Sequence, residues 1–499
     1  MIAPALEWSA ITAPLLLGVG AMVVLLAEVF LSGRRTLLGR RLTGPFVGSI
    51  LVLLSGFFLS LAFLHSVQAY GAGGVTVFNP VNPLLRMDRL AHFCIALLSV
   101  ASLLSILLSK SYLEVLRINH GEYYALLLLA TSGMMLLVGA SDMIMLFLGL
   151  EIMSIPIYVL AGFDRRRARS NEAALKYFLV GSFASAILLY GMALLYGTTG
   201  HTDFAGIRAG LGEDRLSIIG LGMVLVGFAF KVAAVPFHQW APDVYQGAPT
   251  PVTAWMSVAV KVAAFAAFMR VLTGAFREVE APIGEILGTL AVLTMIVGNL
   301  MAVIQTDVKR MLAYSSVAHA GYLLIGFSTA TPDAWSAVLF YLLAYVFMNL
   351  GAFGVVVSLA ARGEDCDQIE DFAGLATTHP VRAALMTLFM LSLAGIPGTV
   401  GFIAKFQLFF AAVQAEHLGL VIVAALASVV SVYYYLRLPV VMYMRQPIER
   451  PGRDLASGEA LVLAVCALAV VVWGFFPNAP PGAYFSWLRA LDWARLAGN

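Results

Sequence analysis

The chain has 499 residues, of which 61% are hydrophobic and 12% are charged, and its formal net charge is +2 at pH 7. Because soluble domains carry about 25% charged residues, this composition excludes a soluble globular enzyme and indicates a polytopic membrane protein. The near-neutral charge, without basic runs that alternate with aromatic residues, also argues against a nucleic-acid partner.

Apolar segments recur along the whole chain. A transmembrane helix needs about 20 mostly apolar residues. The N-terminus lacks the basic region of a signal peptide, so we interpret the first apolar run as a retained span. The segments predict an all-α polytopic protein with about 14 transmembrane helices, near 11–31, 45–67, 89–109, 122–139, 141–162, 172–197, 216–235, 250–275, 283–305, 311–329, 334–361, 382–413, 418–444 and 457–477.

We expect residues 1–499 to form one membrane domain, because no stretch has the composition of a soluble domain. Its successive parts are three N-terminal helices at 1–110, helices 4–8 at 120–275 as a first repeat, helices 9–13 at 283–445 as a second repeat, and a last helix with a short tail at 457–499. The Gly-rich, Pro-containing loop 70–85 predicts a surface hairpin or short strands. The tail after residue 478 predicts a short amphipathic helix with an apolar face of Trp487, Leu488, Leu491 and Trp493.

Basic residues are unevenly distributed between the two sides of the predicted helices. Short cytoplasmic loops of membrane proteins carry an excess of Lys and Arg. Here eighteen of the 30 Lys and Arg residues lie on one side, eight on the other and four inside spans. This distribution predicts that both termini lie on the outer side of the membrane.

Two prolines suggest an internal repeat. Pro236 in span 7 and Pro397 in span 12 are five spans apart, and ALKYFL (174–179) resembles AVLFYL (337–342) at nearly the same offset. An odd-numbered unit repeated in tandem must be inverted in the membrane. Inverted repeats with broken helices at matching positions are typical of transporters, whose ion sites lie beside the breaks.

Charged side chains lie inside the most apolar segments. Each costs at least ~2.5 kcal/mol at a helix centre, so such residues face a protein interior or a wet cavity and mark ion or proton paths. Glu151 lies in LFLGLEIMSIPIYVL of span 5, and Lys231 lies in GFAFKVAAVPFHQW of span 7. Because a carboxylate favours the charged form of a buried lysine, a pair whose separation changes would take up and release a proton.

Lys261 in span 8 and Lys405 in span 12 are embedded in the same way. His238 is either a proton relay or a loop residue at the inner surface, and His319 in span 10 is either a relay or a hydrogen-bonded core histidine. Lys176, near the start of span 6, either belongs to the path or extends to the interface. The sequence leaves these three alternatives open.

The same two prolines predict helix breaks. Proline removes a backbone donor and clashes with the preceding turn. Inside a membrane, a break is tolerated only where protein or water satisfies the freed groups. Pro236 follows Lys231 by five residues, and Pro397 precedes Lys405 by eight. A broken helix, a lysine and water together favour a proton switch.

No pattern in the sequence predicts a resident cofactor or metal ion. The three cysteines are far apart and form no disulfide framework or metal-ligand cluster: Cys94, Cys366 and Cys466. There is no phosphate-binding loop, dinucleotide fingerprint or nucleophile elbow. The energy for transport must therefore come from an ion gradient or from a partner.

Several of these stretches match a known family. FKVAAVPFHQWAPDVYQGAPTPVTAWMSVAVKVAAF (230–265), TDVKRMLAYSSVAHAGY (306–322) and GIPGTVGFIAKF (395–406) resemble motifs of the antiporter-like subunits of respiratory complex I and of Mrp-type cation/proton antiporters. The resemblance covers nearly all of residues 80–445.

The resemblance implies fourteen helices with two inverted five-helix halves, in which helices 7 and 12 are discontinuous. It implies that Glu151 pairs with Lys231 and that Lys261 connects along a hydrated axis to Lys405. It adds Lys176, His319 and Lys309 as further charged or polar positions of this axis.

The resemblance also has implications outside the chain. It implies a bacterial inner membrane, surrounding phospholipids, and other complex I membrane subunits as partners, especially neighbouring antiporter-like subunits. NADH, FMN, Fe–S clusters and quinone would be bound by partner subunits.

Three functions remain to be compared. The first is a proton-translocating, non-redox membrane subunit of NADH:quinone oxidoreductase. The second is a subunit of an Mrp-type sodium/proton antiporter, in which the fold is the same and the ion differs. The third is a membrane scaffold without a proton path, which the four embedded lysines disfavour.

Overall fold

A computed structural model of the chain describes residues 7–32, 44–73, 75–78, 83–212, 214–277, 280–360, 367–448 and 454–476. The chain forms two compact units. Of the described residues, those within 7–231 and 259–277 form unit one, and those within 232–258 and 280–476 form unit two.

Unit one is built mainly from helices. In chain order they are α1 (Thr12–Ser32), α2 (Gly44–Ala72), α3 (Arg89–Leu116), α4 (Gly121–Gly139), α5 (Met143–Ala161), α6 (Ala168–Thr199), α7 (Phe204–Gly210) and α8 (Arg215–Lys231). Between α2 and α3, strands β1 (Thr76–Phe78) and β2 (Leu85–Met87) pair antiparallel, with Val77 opposite Arg86. The hairpin predicted for this Gly-rich loop is therefore confirmed.

Acidic residues begin three of these helices. The carboxylate of Asp88 accepts a hydrogen bond from the backbone N–H of Ala91 at the start of α3, and Asp142 and Asp203 cap α5 and α7 in the same way. Such caps satisfy N–H groups that have no partner inside the helix. They fix where α3 and α5 begin, and so where the side chains of α5 lie.

Unit two contains the remaining helices and a short 3-10 helix, Ile369–Phe372. The helices are α9 (Trp240–Gly247), the first part of α10 (Thr250–Gly274), α11 (Glu280–Val303), α12 (Val308–Thr329), α13 (Pro332–Leu359), α14 (Leu375–Thr378), α15 (Pro380–Ala394), α16 (Val400–Gln414), α17 (Leu418–Met444) and α18 (Ser457–Phe475). The C-terminal part of α10, from Ala259, belongs to unit one. Helices α10 and α13 are buried along nearly their whole length, as expected for segments that are apolar on all sides.

Eleven helices among the described residues are long and apolar enough to cross a membrane. The predicted all-α polytopic membrane fold is therefore confirmed. The count of fourteen, the inverted repeat and the single membrane domain stay predictions. The predicted amphipathic tail and Cys366 lie outside the described residues.

Predicted spans 7 and 12 are not continuous helices. The sequence predicts span 7 near 216–235, but α8 ends at Lys231. After this end, Ala233 has φ 59°, and the Val235–Pro236 peptide bond is cis. Span 12 was predicted over 382–413, but it consists of α15 and α16. Between them, Gly395 and Gly398 have φ 85° and 88°, which glycine adopts without the penalty that a Cβ imposes.

Candidate functional site

Lys231 is the last residue of α8 and is only 4% exposed. Its Nζ donates a hydrogen bond of 2.7 Å to Ser154 Oγ on α5. Ser154 Oγ in turn donates to the carbonyl of Leu150, at 2.5 Å. The ammonium is thus held against α5, although it lies at the end of another helix.

Glu151 lies on α5 one turn before Ser154, on the same helix face. Its Oε1 accepts a hydrogen bond of 2.6 Å from Ser185 Oγ on α6. The Glu151 carboxylate and the Lys231 ammonium thus each have their own serine partner. Hydrogen bonds to Ser185 on α6 and to Ser154 on α5 therefore hold the two charged side chains individually.

Two aromatic rings complete the surroundings of Lys231. Its Nζ lies 5.9 Å from the ring centre of Tyr158 on α5 and 5.8 Å from that of Tyr177 on α6. The two rings contact each other edge to face, with centres 4.8 Å apart. Aromatic faces at this distance attract a cation, so they stabilise a charged lysine away from bulk water.

Lys261 is buried on α10, at 4% exposure, as the sequence predicts. Nine residues later on the same helix, Arg270 makes a bidentate ion pair with Asp88, with N–O distances of 2.7 and 2.9 Å. Arg270 Nε also donates to the carbonyl of Val138, at 2.8 Å. These bonds fix the C-terminal part of α10 to the start of α3 and the end of α4 inside unit one.

Lys176 lies apart from the Lys231 cluster, which comprises Glu151, Ser154, Tyr158, Tyr177, Ser185 and Lys231. It forms an ion pair with Glu172 one turn earlier on α6, at 2.7 Å, and its side chain is 44% exposed. The neighbouring residue on α6, Tyr177, is the one that faces Lys231. The structure thus places Lys176 in an exposed side-chain pair on α6.

In unit two, Lys405 lies on α16 and is 5% exposed. Its Nζ donates to the carbonyl of Ala394, the last residue of α15, at 2.9 Å, and to Ser428 Oγ on α17, at 3.0 Å. The ring centre of Tyr322 lies 4.9 Å from the same Nζ. Lys405 therefore binds a carbonyl that the helix break has freed, which explains why the predicted break and the lysine occur together.

His319 on α12 is fully buried between two tyrosines. Its Nδ1 is 2.6 Å from the hydroxyl of Tyr341 on α13, and its Nε2 is 3.0 Å from that of Tyr435 on α17. The Tyr435 hydroxyl also hydrogen-bonds Ser315. Each of these groups can both donate and accept a hydrogen bond, so Tyr341, His319, Tyr435 and Ser315 form a chain along which a proton can pass.

The residues around Pro236 are held by α11 and α12. The backbone N–H of Val235 donates to Thr294 Oγ1 on α11, at 3.0 Å. His238 is half-buried, and its ring centre is 6.4 Å from that of Tyr314 on α12. Its Nδ1 has no hydrogen-bond partner within the described chain. His238 thus lies in the broken segment itself, two residues after Pro236.

Lys309 is buried, but its position indicates a structural role. Its Nζ donates to the carbonyl of Ala248, the C-cap of α9, at 2.8 Å. The adjacent Arg310 pairs with Asp243 of α9 at 2.6 Å. Cations at a helix C-terminus satisfy free carbonyls and interact favourably with the negative end of the helix dipole. Lys309 and Arg310 therefore anchor the short helix that follows the Pro236 break.

The sequence did not predict most of the hydrogen-bond partners. Ser154, Ser185, Tyr177, Ser428 and Tyr435 are common residue types in helices, and nothing in their local patterns marks them. One signal was available for Ser154, since it lies one turn after Glu151. The Arg270–Asp88 pair was also missed, because the two residues are far apart in sequence and each lies near the end of a predicted span.

Comparison with known proteins places the chain in a recognised group. The family model described as "NADH:quinone oxidoreductase/Mrp antiporter, TM" matches residues 140–431. A NADH-quinone oxidoreductase subunit N from Trichlorobacter lovleyi is 46% identical, over 87% of this chain and 92% of that one. A subunit N 1 from Sorangium cellulosum is 45% identical, over 95% and 97%.

A solved structure agrees. A chain in the structure of respiratory complex I from Thermus thermophilus with bound aureothin is 33% identical and covers 97% of this chain and 100% of its own length, with a TM-score of 0.79. The antiporter-like motifs quoted from the sequence thus correspond to a likeness in fold over nearly the whole chain.

Proposed function

The chain belongs to the NADH:quinone oxidoreductase/Mrp antiporter transmembrane family, and we propose that it translocates protons as a non-redox membrane subunit of an NADH:quinone oxidoreductase. The observation that carries this proposal is the buried Lys231, which is hydrogen-bonded to α5 one turn from Glu151. A lysine would be unfavourable at a helix end with only a structural role, because burying an ammonium in a membrane costs free energy.

The proposed switch is the distance between Glu151 and Lys231. An ammonium away from water loses its hydration, and a nearby carboxylate compensates for part of that loss. Moving the two charges together favours proton uptake by the lysine, and moving them apart favours release. Ser185 and Ser154 can hold the two groups in the separated arrangement. Lys231 is the last residue of α8, directly before the break, so in this proposal a change at the break would be passed to the lysine.

Lys261 in unit one and Lys405 in unit two are proposed as further proton carriers. Each is buried on a helix of a membrane protein, where an ionisable side chain marks a path by default. The chain from Tyr341 through His319 to Ser315 supports a relay within unit two. We assign His238 a secondary role in the broken segment, and we assign Lys309 a positioning role at α9.

The energy would come from NADH oxidation and quinone reduction on partner subunits. In this proposal NADH, FMN, Fe–S clusters and quinone are bound by those partners, and the chain contacts neighbouring antiporter-like subunits and phospholipids. We place it in a bacterial inner membrane with both termini on the periplasmic side, as the distribution of Lys and Arg predicts.

The alternative function is a subunit of an Mrp-type sodium/proton antiporter. The family description includes both kinds of protein, so the family alone does not choose between them. The names of the two relatives favour the oxidoreductase, since both are called subunit N at 45 to 46% identity over most of their length.

Deletion of the chain separates the two functions. In membranes of the host organism, deletion should abolish NADH-driven proton pumping and lower NADH:quinone reductase activity, and re-expression of the wild-type chain should restore both. The chain should also co-purify with the other oxidoreductase subunits. Unchanged quinone reductase activity, together with loss of sodium/proton exchange, would contradict the proposal and favour the antiporter.

A further inference from the structure

Three metal-ligating side chains converge at one end of α1 in unit one. Glu28 lies near the end of α1, and His120 and Glu122 lie at the start of α4. One ligand atom from each lies within 4.8 Å of the other two. The Nδ1 of His120 is 3.9 Å from Glu28 Oε1. None of these residues belongs to the proposed proton path.

A glycine allows the three residues to come together. Gly121, the first residue of α4, lies between His120 and Glu122 in the sequence. A Cβ at this position would lie 2.5 Å from Glu28 Oε2, so the absence of a side chain lets the carboxylate approach the helix start this closely. His120 precedes the helix in an extended conformation, with φ −126° and ψ 152°. His120 and Glu122 can therefore both turn towards Glu28 from opposite sides of the glycine.

The two carboxylates of this cluster lie close enough together to bind one cation jointly. Two carboxylates at this distance repel each other unless a proton or a cation lies between them. Glu28 is mostly buried, with 19% of its side chain exposed, whereas His120 and Glu122 are exposed to the solvent from which an ion would bind. The imidazole supplies a third ligand of the kind that zinc and related ions prefer over magnesium and calcium.

We propose that Glu28, His120 and Glu122 form a binding site for a divalent transition-metal ion, of which zinc is the best fit. Zinc accepts one imidazole nitrogen and two carboxylate oxygens as three protein ligands and leaves its fourth position to water. The bound ion would link the end of α1 to the start of α4. This proposal is independent of the proposed function.

An adjoining cleft provides the room for water. The cavity has a volume of about 440 Å³, and His120 and Glu122 lie in its wall. Arg117, Arg165 and Arg166 also line it. Arg166 pairs with Asp164 at 3.2 Å, whereas Arg117 and Arg165 leave positive charge near the site. That charge opposes a cation, so we expect micromolar rather than nanomolar affinity for zinc.

Zinc binding by the purified chain tests this site. The full-length chain in lipid nanodiscs is treated with EDTA, desalted and titrated with ZnCl₂ by calorimetry. We expect one Zn²⁺ per chain, and an X-ray absorption spectrum with nitrogen and oxygen ligands only. The variants Glu28→Gln, His120→Ala and Glu122→Gln should each weaken binding by about tenfold or more, the scale on which changes around a metal site act.

His201→Ala is the matched control. His201 is also exposed and lies 3.4 Å from an acidic residue, Asp203, but it is not part of the three-ligand cluster. This variant should bind Zn²⁺ like the wild type. Thermal unfolding controls for misfolding: without metal the His120→Ala variant should unfold at the wild-type temperature, and Zn²⁺ should raise the unfolding temperature of the wild type but not of this variant.

Two results would overturn the site. One is a wild-type chain that binds no Zn²⁺ up to millimolar concentration, in which case the carboxylates share a proton instead. The other is equal Zn²⁺ affinity in the wild type and all three cluster variants. Both results come from Zn²⁺ binding to the purified chain and do not depend on proton pumping. A failure of the zinc site can therefore be distinguished from a failure of the proton-translocation proposal.

Discussion

Lys231 Nζ donates a hydrogen bond of 2.7 Å to Ser154 Oγ, which fixes the end of α8 to the helix that carries Glu151. The lysine is therefore held by a neutral serine, and that serine lies one helical turn from Glu151, the proposed counter-charge. This arrangement keeps an ammonium hydrogen-bonded away from water while the carboxylate has a separate partner in Ser185.

Ser154→Ala should slow proton pumping. The substitution removes the hydrogen-bond partner of a buried ammonium, which costs about 1–3 kcal/mol. We expect NADH-driven pumping in the intact complex to fall severalfold, with normal assembly measured by subunit content. Ser99→Ala, another buried helix serine whose hydroxyl bonds only its own helix, is the control and should pump normally. Wild-type pumping by Ser154→Ala would show that this hydrogen bond is dispensable.

Gly395→Ala should displace Lys405. The added Cβ would lie 2.9 Å from Lys405 Cδ, and the backbone has φ 85°, a conformation that costs a residue with a Cβ about 1–2 kcal/mol. We expect reduced pumping in proteoliposomes that contain the intact complex. Gly419→Ala is the control, since nothing lies within 4 Å of a Cβ there. Equal loss of pumping in both variants would indicate general damage rather than an effect on Lys405.

Asp88→Asn should destabilise unit one. Burial alone raises the pKa of Asp88, but the two hydrogen bonds and the charge of Arg270 outweigh burial and hold that pKa below its usual value of 3.8. Breaking a buried ion pair from one side costs about 3–5 kcal/mol. We expect a lower unfolding temperature of the full-length chain at pH 7, whereas Glu172→Gln, which removes an exposed pair with Lys176, should change it little.

The same pair predicts a pH dependence. Because the pKa of Asp88 is depressed in the folded chain, its contribution to stability is complete above pH 3.8 and is lost as the pH falls through the lower, folded-state pKa. The difference in unfolding temperature between wild type and Asp88→Asn should therefore shrink as the pH falls below about 4. A difference that stays constant down to pH 2 would contradict this assignment.

His319→Phe should interrupt the relay in unit two. Phenylalanine keeps an aromatic ring between Tyr341 and Tyr435 but offers no nitrogen to their hydroxyls. We expect pumping by the intact complex to fall by about tenfold, which corresponds to about 1.4 kcal/mol in the barrier. His417→Phe, at the start of α17 where the side chain makes no capping bond, is the control. Full pumping by His319→Phe would leave His319 as a core residue only.

The sequence alone predicted the class of fold and the position of the embedded charges. A long apolar segment, and a charged residue within it, can be recognised from neighbouring residues alone. The sequence therefore predicted α5 with Glu151 and α10 with Lys261 directly. Pro236 and Pro397 marked the breaks for the same reason, because proline acts on its own helix. The helix end beside Pro236 differs from the expected position, since α8 ends at Lys231 rather than near 235.

The sequence alone does not predict which side chains of different helices contact each other. Whether Lys231 meets Ser154, or Lys405 meets the carbonyl of Ala394, depends on how separate helices rotate and pack, and no pattern within one helix carries that information. Lys176 illustrates the difficulty: one residue along α6, Tyr177 faces Lys231, whereas Lys176 pairs with Glu172. Consecutive helix positions face about 100° apart, so a one-residue change of position decides which side chain faces the cluster.

The most direct test of the account is proton pumping by Glu151→Gln and Lys231→Met. The intact NADH:quinone oxidoreductase is reconstituted in proteoliposomes, and pumping is compared with NADH oxidation in the same sample. Lys110→Met serves as the control, because Lys110 is a half-buried lysine that hydrogen-bonds Ser49 outside the cluster. We predict that both cluster variants lose pumping by about tenfold or more while Lys110→Met pumps normally. Pumping at the wild-type rate by both Glu151→Gln and Lys231→Met would contradict the central claim.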